Sequence, residues 1–288
     1  VNRLAFVKVQ GNGNDFILLD GIGEALPAQD WGALARVWCQ RRYVIGADGL
    51  LLALPSEVAD YRMRLFNADG SEAEMCGNGI RCLAHFLFDR YAPDAEALRI
   101  ETGAGVREVF RACPDASQIR VAMGAPRLAR AEIPAAGTPP DQPILDQPLT
   151  LPSGETLCIS AVNTGTPHAV LFTERPLNEF PLEQIGPQVE NHPLFPQRTN
   201  FQVARVHARN AVEVRPWERG AGATPACGTG ACAVVVIGVL TGRLEPQTVV
   251  HMPGGDLLIH WENPETLWMT GPAQVAFEGT APLPPSPV

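Results

Sequence analysis

Two short stretches of this chain carry cysteine and glycine in the same arrangement. Cys76-Gly77-Asn78-Gly79 runs into Ile80-Arg81-Cys82-Leu83-Ala84-His85-Phe86-Leu87. Cys227-Gly228-Thr229-Gly230 runs into Ala231-Cys232-Ala233-Val234-Val235-Val236-Ile237. Each places a thiol and small residues ahead of an apolar segment of helical length. A cysteine at a helix N-terminus sits in the field of unpaired backbone N–H groups, which favours thiolate over thiol. The same N–H groups make a site for a carboxylate. Two such ends facing each other would hold one thiol on either side of a bound carboxylic acid, an arrangement suited to moving a proton from one face of a carbon to the other.

The segments around these stretches also come twice. Arg3 to Val9 reads as a strand, Gly11 to Asp15 as a turn, and Phe16 to Leu19 as a second strand. Asp30 is placed to cap a helix whose residues Trp31, Leu34, Ala35 and Trp38 share one face. Gly46-Ala47-Asp48-Gly49 turns into Leu50-Leu51-Leu52, and Tyr61 to Phe66 alternates as a strand ending in the turn Asn67-Ala68-Asp69-Gly70. Further strands are expected at 98–101, 106–110 and 119–123. Residues 126–152 hold seven prolines and read as a connector with little regular structure. Beyond it the pattern returns at an offset of 151, which relates Trp31 to Leu182, Leu34 to Ile185, Trp38 to Val189, Phe66 to Trp217 and Cys76 to Cys227. Such a gapless offset implies an internal duplication. The expected fold is therefore α+β: an N-terminal domain of residues 1–122 (completed by about 273–288) and a C-terminal domain of residues 123–272, with the active site in the cleft between them. The valines of the second cysteine segment favour strand, and its repeat with Ile80–Leu87 decides for helix. The tail from Pro282 reads as extended or disordered.

At 288 residues and 45% hydrophobic composition the chain can bury two cores. A net charge of −9 argues against nucleic acid or an anionic membrane as partner. The run Ala231 to Leu240 is too short to span a bilayer, and no basic-then-apolar leader is visible. Seven cysteines then read as reduced thiols of a cytoplasmic protein. Cys39, Cys82, Cys113, Cys158 and Cys232 are assigned to the core as small hydrophobes. The cysteine pairs lack the four-ligand spacing of a zinc site, so no metal is expected. Gly11-x-Gly13 and Gly220-x-Gly222 lack the rest of a dinucleotide fingerprint and read as turns. Taken singly, His168 reads as a surface histidine and Glu218-Arg219 as a surface ion pair.

Taken together, several runs resemble one family. Gly13-Asn14-Asp15-Phe16, Phe66-Asn67-Ala68-Asp69-Gly70-Ser71, Cys76 to Cys82, Pro167-His168, Glu218-Arg219-Gly220-Ala221-Gly222 and Ala226 to Cys232 look like diaminopimelate epimerase, from Gly11 to about Gly279. The resemblance implies two β-rich barrel-like domains, each around a central helix. It also implies interconversion of LL- and meso-diaminopimelate in lysine and peptidoglycan precursor biosynthesis, without pyridoxal phosphate, metal or other cofactor.

The residue matching Cys76 would take the α-proton of the LL isomer and the residue matching Cys227 would return one on the other face. His168 and Glu218 would tune the thiols. Gly77, Asn78, Gly228 and Thr229 would supply the helix-end donors that stabilise developing carboxylate charge. Asn14, Asn67, Asn200 and Arg219 would hold the far amino and carboxylate groups. Two positions depart from the family: Thr166 stands where many members carry asparagine, and Gly49 where some carry a substrate-facing glutamine. Both are kept as substrate-binding positions, with Glu218. Phe277 matches a family position at a dimer contact, so a homodimer is expected. The alternatives are a proline racemase or hydroxyproline epimerase of the same fold, or a non-catalytic thiol redox or binding protein. Those racemases carry Cys-Gly-His where this chain has Cys76-Gly77-Asn78.

Overall fold

A computed structural model describes residues 3–283, which fall into two compact units, 3–121 with 271–283, and Ala122–Thr270. In the first, β1 (Arg3–Gly11) and β2 (Asn14–Asp20) form a hairpin whose turn places Asn12 and Gly13 at positive φ. Helix α1 (Trp31–Trp38) follows, with the Asp30 carboxylate accepting from the Ala33 N–H as its sequence promised. It leads to β3 (Gly49–Leu54), parallel to β2, then to β4 (Tyr61–Asn67) and the short β5 (Glu72–Ala73). Helix α2 (Gly77–Arg90) precedes β6 (Ala97–Thr102), which runs parallel to β4, then β7 (Gly105–Arg111) and β8 (Gln118–Ala122).

The second unit repeats this order. Strands β9 (Ile144–Thr150), β10 (Thr156–Asn163) and β11 (Pro167–Phe172) are antiparallel neighbours. Helix α3 (Leu182–Glu190) leads to β12 (Asn200–Ala208), parallel to β11, and on to β13 (Ala211–Glu218) and β14 (Gly222–Ala223). Helix α4 (Gly228–Leu240) precedes β15 (Gln247–Met252), parallel to β13, then β16 (Gly255–Asn263) and β17 (Thr266–Pro272). The last strand, β18 (Gln274–Pro282), returns to the first unit and pairs with β1. The two parallel pairs in each unit occur at corresponding steps, each bridged by a helix as parallel strands require.

In each unit the sheet curves around its cysteine-bearing helix, giving the barrel-like form. Helix α2 meets β1, β2, β3, β4, β7 and β18, and α4 meets β10, β11, β12 and β16. Helix α4 is buried on every side from Gly230 to Gly238, so packing overrides the strand preference of its valines. The other faces of the sheets carry α1 over Ile17, Leu50 and Leu52, and α3 over Leu171, Phe201 and Val203.

Three expectations are corrected. The proline-rich connector contains a strand, β9, and a 3-10 turn at Arg130–Glu132; Pro148 is tolerated because β9 pairs only with β10 among the described residues. The tail expected to be extended or disordered begins extended, at the Pro282 that ends β18, and its residues 284–288 lie outside the described residues. Cys158 is exposed and Cys113 is half-buried among the polar groups of Asp115, Ser117 and Gln118, so neither is a core residue. His168 is fully buried. No helix among the described residues is long and apolar enough to cross a membrane.

Candidate active site

Cys76 is the N-cap of α2, in extended conformation, and its Sγ accepts from the Gly79 N–H at 3.4 Å. Its thiol points at Asn14 Oδ1, 3.8 Å away, and Asn78 Nδ2 donates to the same oxygen at 3.2 Å. That orientation of the Asn14 amide is fixed from the other side: Nδ2 donates to Asp48 Oδ2 at 2.7 Å. Asp48 is itself held by the Asp15 N–H at 3.1 Å and by Arg41 at 2.8 Å. Arg41 also bonds Asp15, whose carboxylate meets buried Lys8 at 2.6 Å. Burial alone would raise the pKa of Asp15, but the Arg41 and Lys8 hydrogen bonds outweigh it and hold the carboxyl below its usual range. Asn78 is buried, with its own Oδ1 left without a protein hydrogen bond among the described residues.

Gly49 and Asn67 sit opposite each other in the β3–β4 register. A Cβ at Gly49 would lie 2.9 Å from the Phe66 carbonyl oxygen, so this position has no room for a side chain. Asn67 is exposed and donates to Ser71 Oγ at 3.0 Å across its turn. Phe277, half exposed on β18, packs edge-on against Phe6 at 6.0 Å.

The second unit gathers more of the expected residues. Cys227 is the N-cap of α4, 4% exposed, with its N–H on Met252 Sδ at 3.5 Å and its Sγ 3.6 Å from Thr229 Oγ1. Burial pushes this thiol well above its ordinary value, and the Glu218 charge adds to that. The Thr229 hydroxyl and the Gly230 N–H act in the opposite direction but do not prevail. The helix end therefore does not make Cys227 a resting thiolate; it is a thiol, ready to act as an acid. Glu218 Oε1 accepts from Thr224 Oγ1 at 2.6 Å.

His168 lies beside Asn200 in the parallel β11–β12 register. Burial, with the nearby Arg219 charge, pushes its pKa down to about 3, so it is a neutral imidazole. Its Nε2 lies 3.0 Å from Thr166 Oγ1 and its Nδ1 3.3 Å from Gln202 Nε2. Asn200 uses both ends of its amide. Oδ1 accepts from the Arg219 N–H at 2.8 Å, while Nδ2 donates to the Pro167 carbonyl at 2.9 Å and to Thr166 Oγ1 at 3.3 Å. Thr166 Oγ1 also lies 3.4 Å from Thr229 Oγ1. The second unit thus brings Cys227, Thr229, Thr166, His168, Asn200 and the Arg219 backbone into one hydrogen-bonded set, with Glu218 acting on the same thiol.

The sequence profile of the family described as diaminopimelate epimerase matches residues 6–129 and 160–276. A diaminopimelate epimerase from Moorella thermoacetica is 49% identical over 282 residues, covering 96% of this chain and 99% of that relative. The chain belongs to the diaminopimelate epimerase family. Another member of the family, from Synechococcus sp. (strain JA-3-3Ab), is likewise 49% identical, over 97% of this chain and 98% of its own. Among solved structures, a probable proline racemase from Agrobacterium radiobacter superposes with TM-score 0.71 at 16% identity, covering 98% of this chain and 94% of its own. A hydroxyproline epimerase from Agrobacterium vitis gives 0.70 at 15% identity, over 98% and 91%. At that identity the likeness is one of fold alone.

Three residues that brace these sets went unnoticed in the sequence. In the sequence Asp48 reads only as part of a turn. Gln202 gave no signal inside an apolar strand. Glu190, 6% exposed at the end of α3, accepts from Trp217 Nε1 at 2.8 Å, from the Gly220 N–H at 3.0 Å and from Arg198 at 3.1 Å, and so ties down the turn that carries Glu218 and Arg219.

Proposed function

We propose that this protein interconverts LL- and meso-diaminopimelate without a cofactor, by proton transfer at one α-carbon between the thiols of Cys76 and Cys227. The observation that carries this reading is the duplicated cysteine-capped helix start, in a chain that belongs to the diaminopimelate epimerase family. An amino-acid α-hydrogen is a very weak acid, so its removal requires preorganised donors at the carboxylate where charge develops. The first turns at Gly77-Asn78 and Gly228-Thr229 offer such N–H groups. Cys76 removes the proton of the LL isomer and Cys227, held as a thiol, supplies one on the opposite face. The reverse reaction exchanges the roles. Glu218 keeps the Cys227 proton in place between turnovers. Asn14, Asn67, Asn200 and Arg219 hold the distal amino-acid centre, and Gly49 and Thr166 border it. The enzyme works in the cytoplasm, in lysine and peptidoglycan precursor biosynthesis, as a homodimer contacting through the strand that bears Phe277.

The test is turnover of the LL isomer in D2O. Early meso product should carry deuterium at one α-carbon while unreacted LL substrate stays nearly free of it, because return through Cys76 gives back the hydrogen just taken. Cys76→Ala and Cys227→Ala should each lower kcat by about three orders of magnitude or more, non-additively, with the fold intact. Early deuterium in recovered LL substrate, or near-normal turnover in either variant, would sink the two-thiol mechanism. Racemisation of L-proline without action on diaminopimelate would replace the substrate assignment.

A further inference from the structure

We propose that Thr166 is a positioning residue that joins His168 to Cys227 through a one-directional chain of hydroxyl donors, Gln202 to His168 to Thr166 to Thr229 to the Cys227 sulfur. The direction follows from counting donors. The Arg219 N–H fixes the Asn200 amide by bonding its Oδ1, which obliges Nδ2 to donate to Thr166 Oγ1. The Gln202 amide, whose Oε1 has no hydrogen-bond partner among the described residues, presents Nε2 to His168 Nδ1; in that orientation it donates, so the neutral imidazole carries its proton on Nε2 and donates to the same Thr166 oxygen. A hydroxyl has one proton and two lone pairs. With both lone pairs engaged, the Thr166 proton is left for Thr229 Oγ1 at 3.4 Å, and the Thr229 proton for Cys227 Sγ at 3.6 Å. Thr229 cannot drift from this role, because the Thr164 hydroxyl holds its carbonyl at 2.8 Å. Gln202 reaches its place because residue 230 is glycine: a Cβ there would lie 2.5 Å from the Gln202 amide carbon.

Such a chain has a use in a site where burial and Glu218 both oppose charge on Cys227. When the thiol gives its proton to the substrate carbon, the Thr229 O–H already points at the resulting thiolate, and Thr166 and His168 polarise that donor from behind. No proton travels along the chain; each hydroxyl keeps its own. A histidine that never charges thus steadies an anion two residues removed. An asparagine at position 166 would have no hydroxyl to pass the polarisation on, so this link belongs to the threonine of this chain. The inference rests on the acid–base role proposed for Cys227, and it gives Thr166 a task other than touching the distal end of the substrate.

Two measurements test it. In 15N-histidine-labelled protein, with the resonance assigned by its loss in His168→Asn, the His168 ring should be neutral and protonated at Nε2 from about pH 5 to 8. Protonation at Nδ1 would leave Nε2 an acceptor that takes the Thr166 proton away from Thr229, and so overturn the chain, whatever the enzyme turns over. In kinetics, Thr166→Val should lower kcat about tenfold and leave KM within about twofold, the loss of one hydrogen bond that matters only once the sulfur is charged. Thr166→Ser should restore the rate, and Thr166→Val with Thr229→Val should cost little more than either alone. A raised KM with kcat preserved would make Thr166 a substrate contact instead. Failure of the wild type to act on diaminopimelate would remove the proposed function, while the ring spectrum would still decide the donor order.

Discussion

Glu190 brings a carboxylate into a dry part of the second unit and engages one oxygen with Trp217 near the end of β13 and the other with Gly220 in the turn after it. Glutamine has the same shape but one acceptor oxygen, so Glu190→Gln must aim an NH2 at either the Trp217 indole N–H or the Gly220 N–H. Two donors then face each other at a cost of about 1–3 kcal/mol. The turn carries Arg219, whose guanidinium is steadied by the Gln197 carbonyl at 3.0 Å. Glu190→Gln should therefore raise KM for diaminopimelate several-fold while kcat changes less, alongside the loss in urea stability. Trp217→Phe removes the indole donor, so adding it to Glu190→Gln should recover part of KM. An unchanged KM in the single variant would confine Glu190 to stability. The cysteines were visible in the sequence because the duplication superimposed them. Glu190 was not, since an acid at a helix end is usually solvated and its partner Trp217 lies 27 residues away. His168 read as a surface residue for a similar reason: its burial depends on the parallel pairing of β11 with β12, which no local pattern announces.

Elements were legible where local chemistry and packing agree. Helix α1 formed where the Asp30 cap and the apolar face marked it, and α4, which burial on every side holds helical against its valines, was legible because its repeat partner reads as a helix. Strand β9 was hidden because proline suppresses strand readings, although an edge position can take one. The same kind of reasoning applies to β18. Val275 and Phe277 are 38% and 52% exposed on a strand whose residues 274–278 all face solvent, although Phe277 also packs on Phe6. Apolar exposure of this kind on a strand suits a partner copy. Phe277→Asp should shift the proposed dimer toward monomer in sedimentation, with a thermal midpoint close to wild type because the side chain is not core. A wild type that sediments as monomer at micromolar concentration would defeat the dimer assignment.

At the scale of the molecule, the two units repeat one strand order, yet they bury different ionisable groups, and this gives stability a distinct pH profile. His168, in the second unit, has an ordinary value of 6.5 that folding lowers to about 3. Below about pH 6.5 the unfolded chain takes up a proton that the folded chain refuses. The stabilisation is complete above that value and is lost as the pH falls toward 3, with a slope of up to about 1.4 kcal/mol per pH unit. Asp15, held below its ordinary 3.8, adds its loss only beneath that value, so the two contributions separate. On the alkaline side thiols in both units act, together with Tyr61 and Tyr91, whose phenols are raised mainly by burial. Burial raises Cys39 to about 11 and Cys82 to about 12, in the first unit, and Cys227 also rises, in the second. Above their ordinary 9.0 the unfolded chain releases protons that the folded chain retains, so stability falls as pH rises toward 11 or 12. Urea midpoints should therefore decline on both sides of a neutral plateau. His168→Gln should flatten the slope between about pH 6.5 and 4.5 by roughly one proton, and Cys82→Ala should flatten the alkaline slope by the same amount. The slopes, not the plateau heights, are the readout, since each substitution also alters packing. A wild-type stability that stays level from about pH 6.5 to 4.5 would mean that the folded chain protonates His168 as readily as the unfolded one, and the neutral imidazole on which the second unit's hydrogen-bonded set depends would be lost with it.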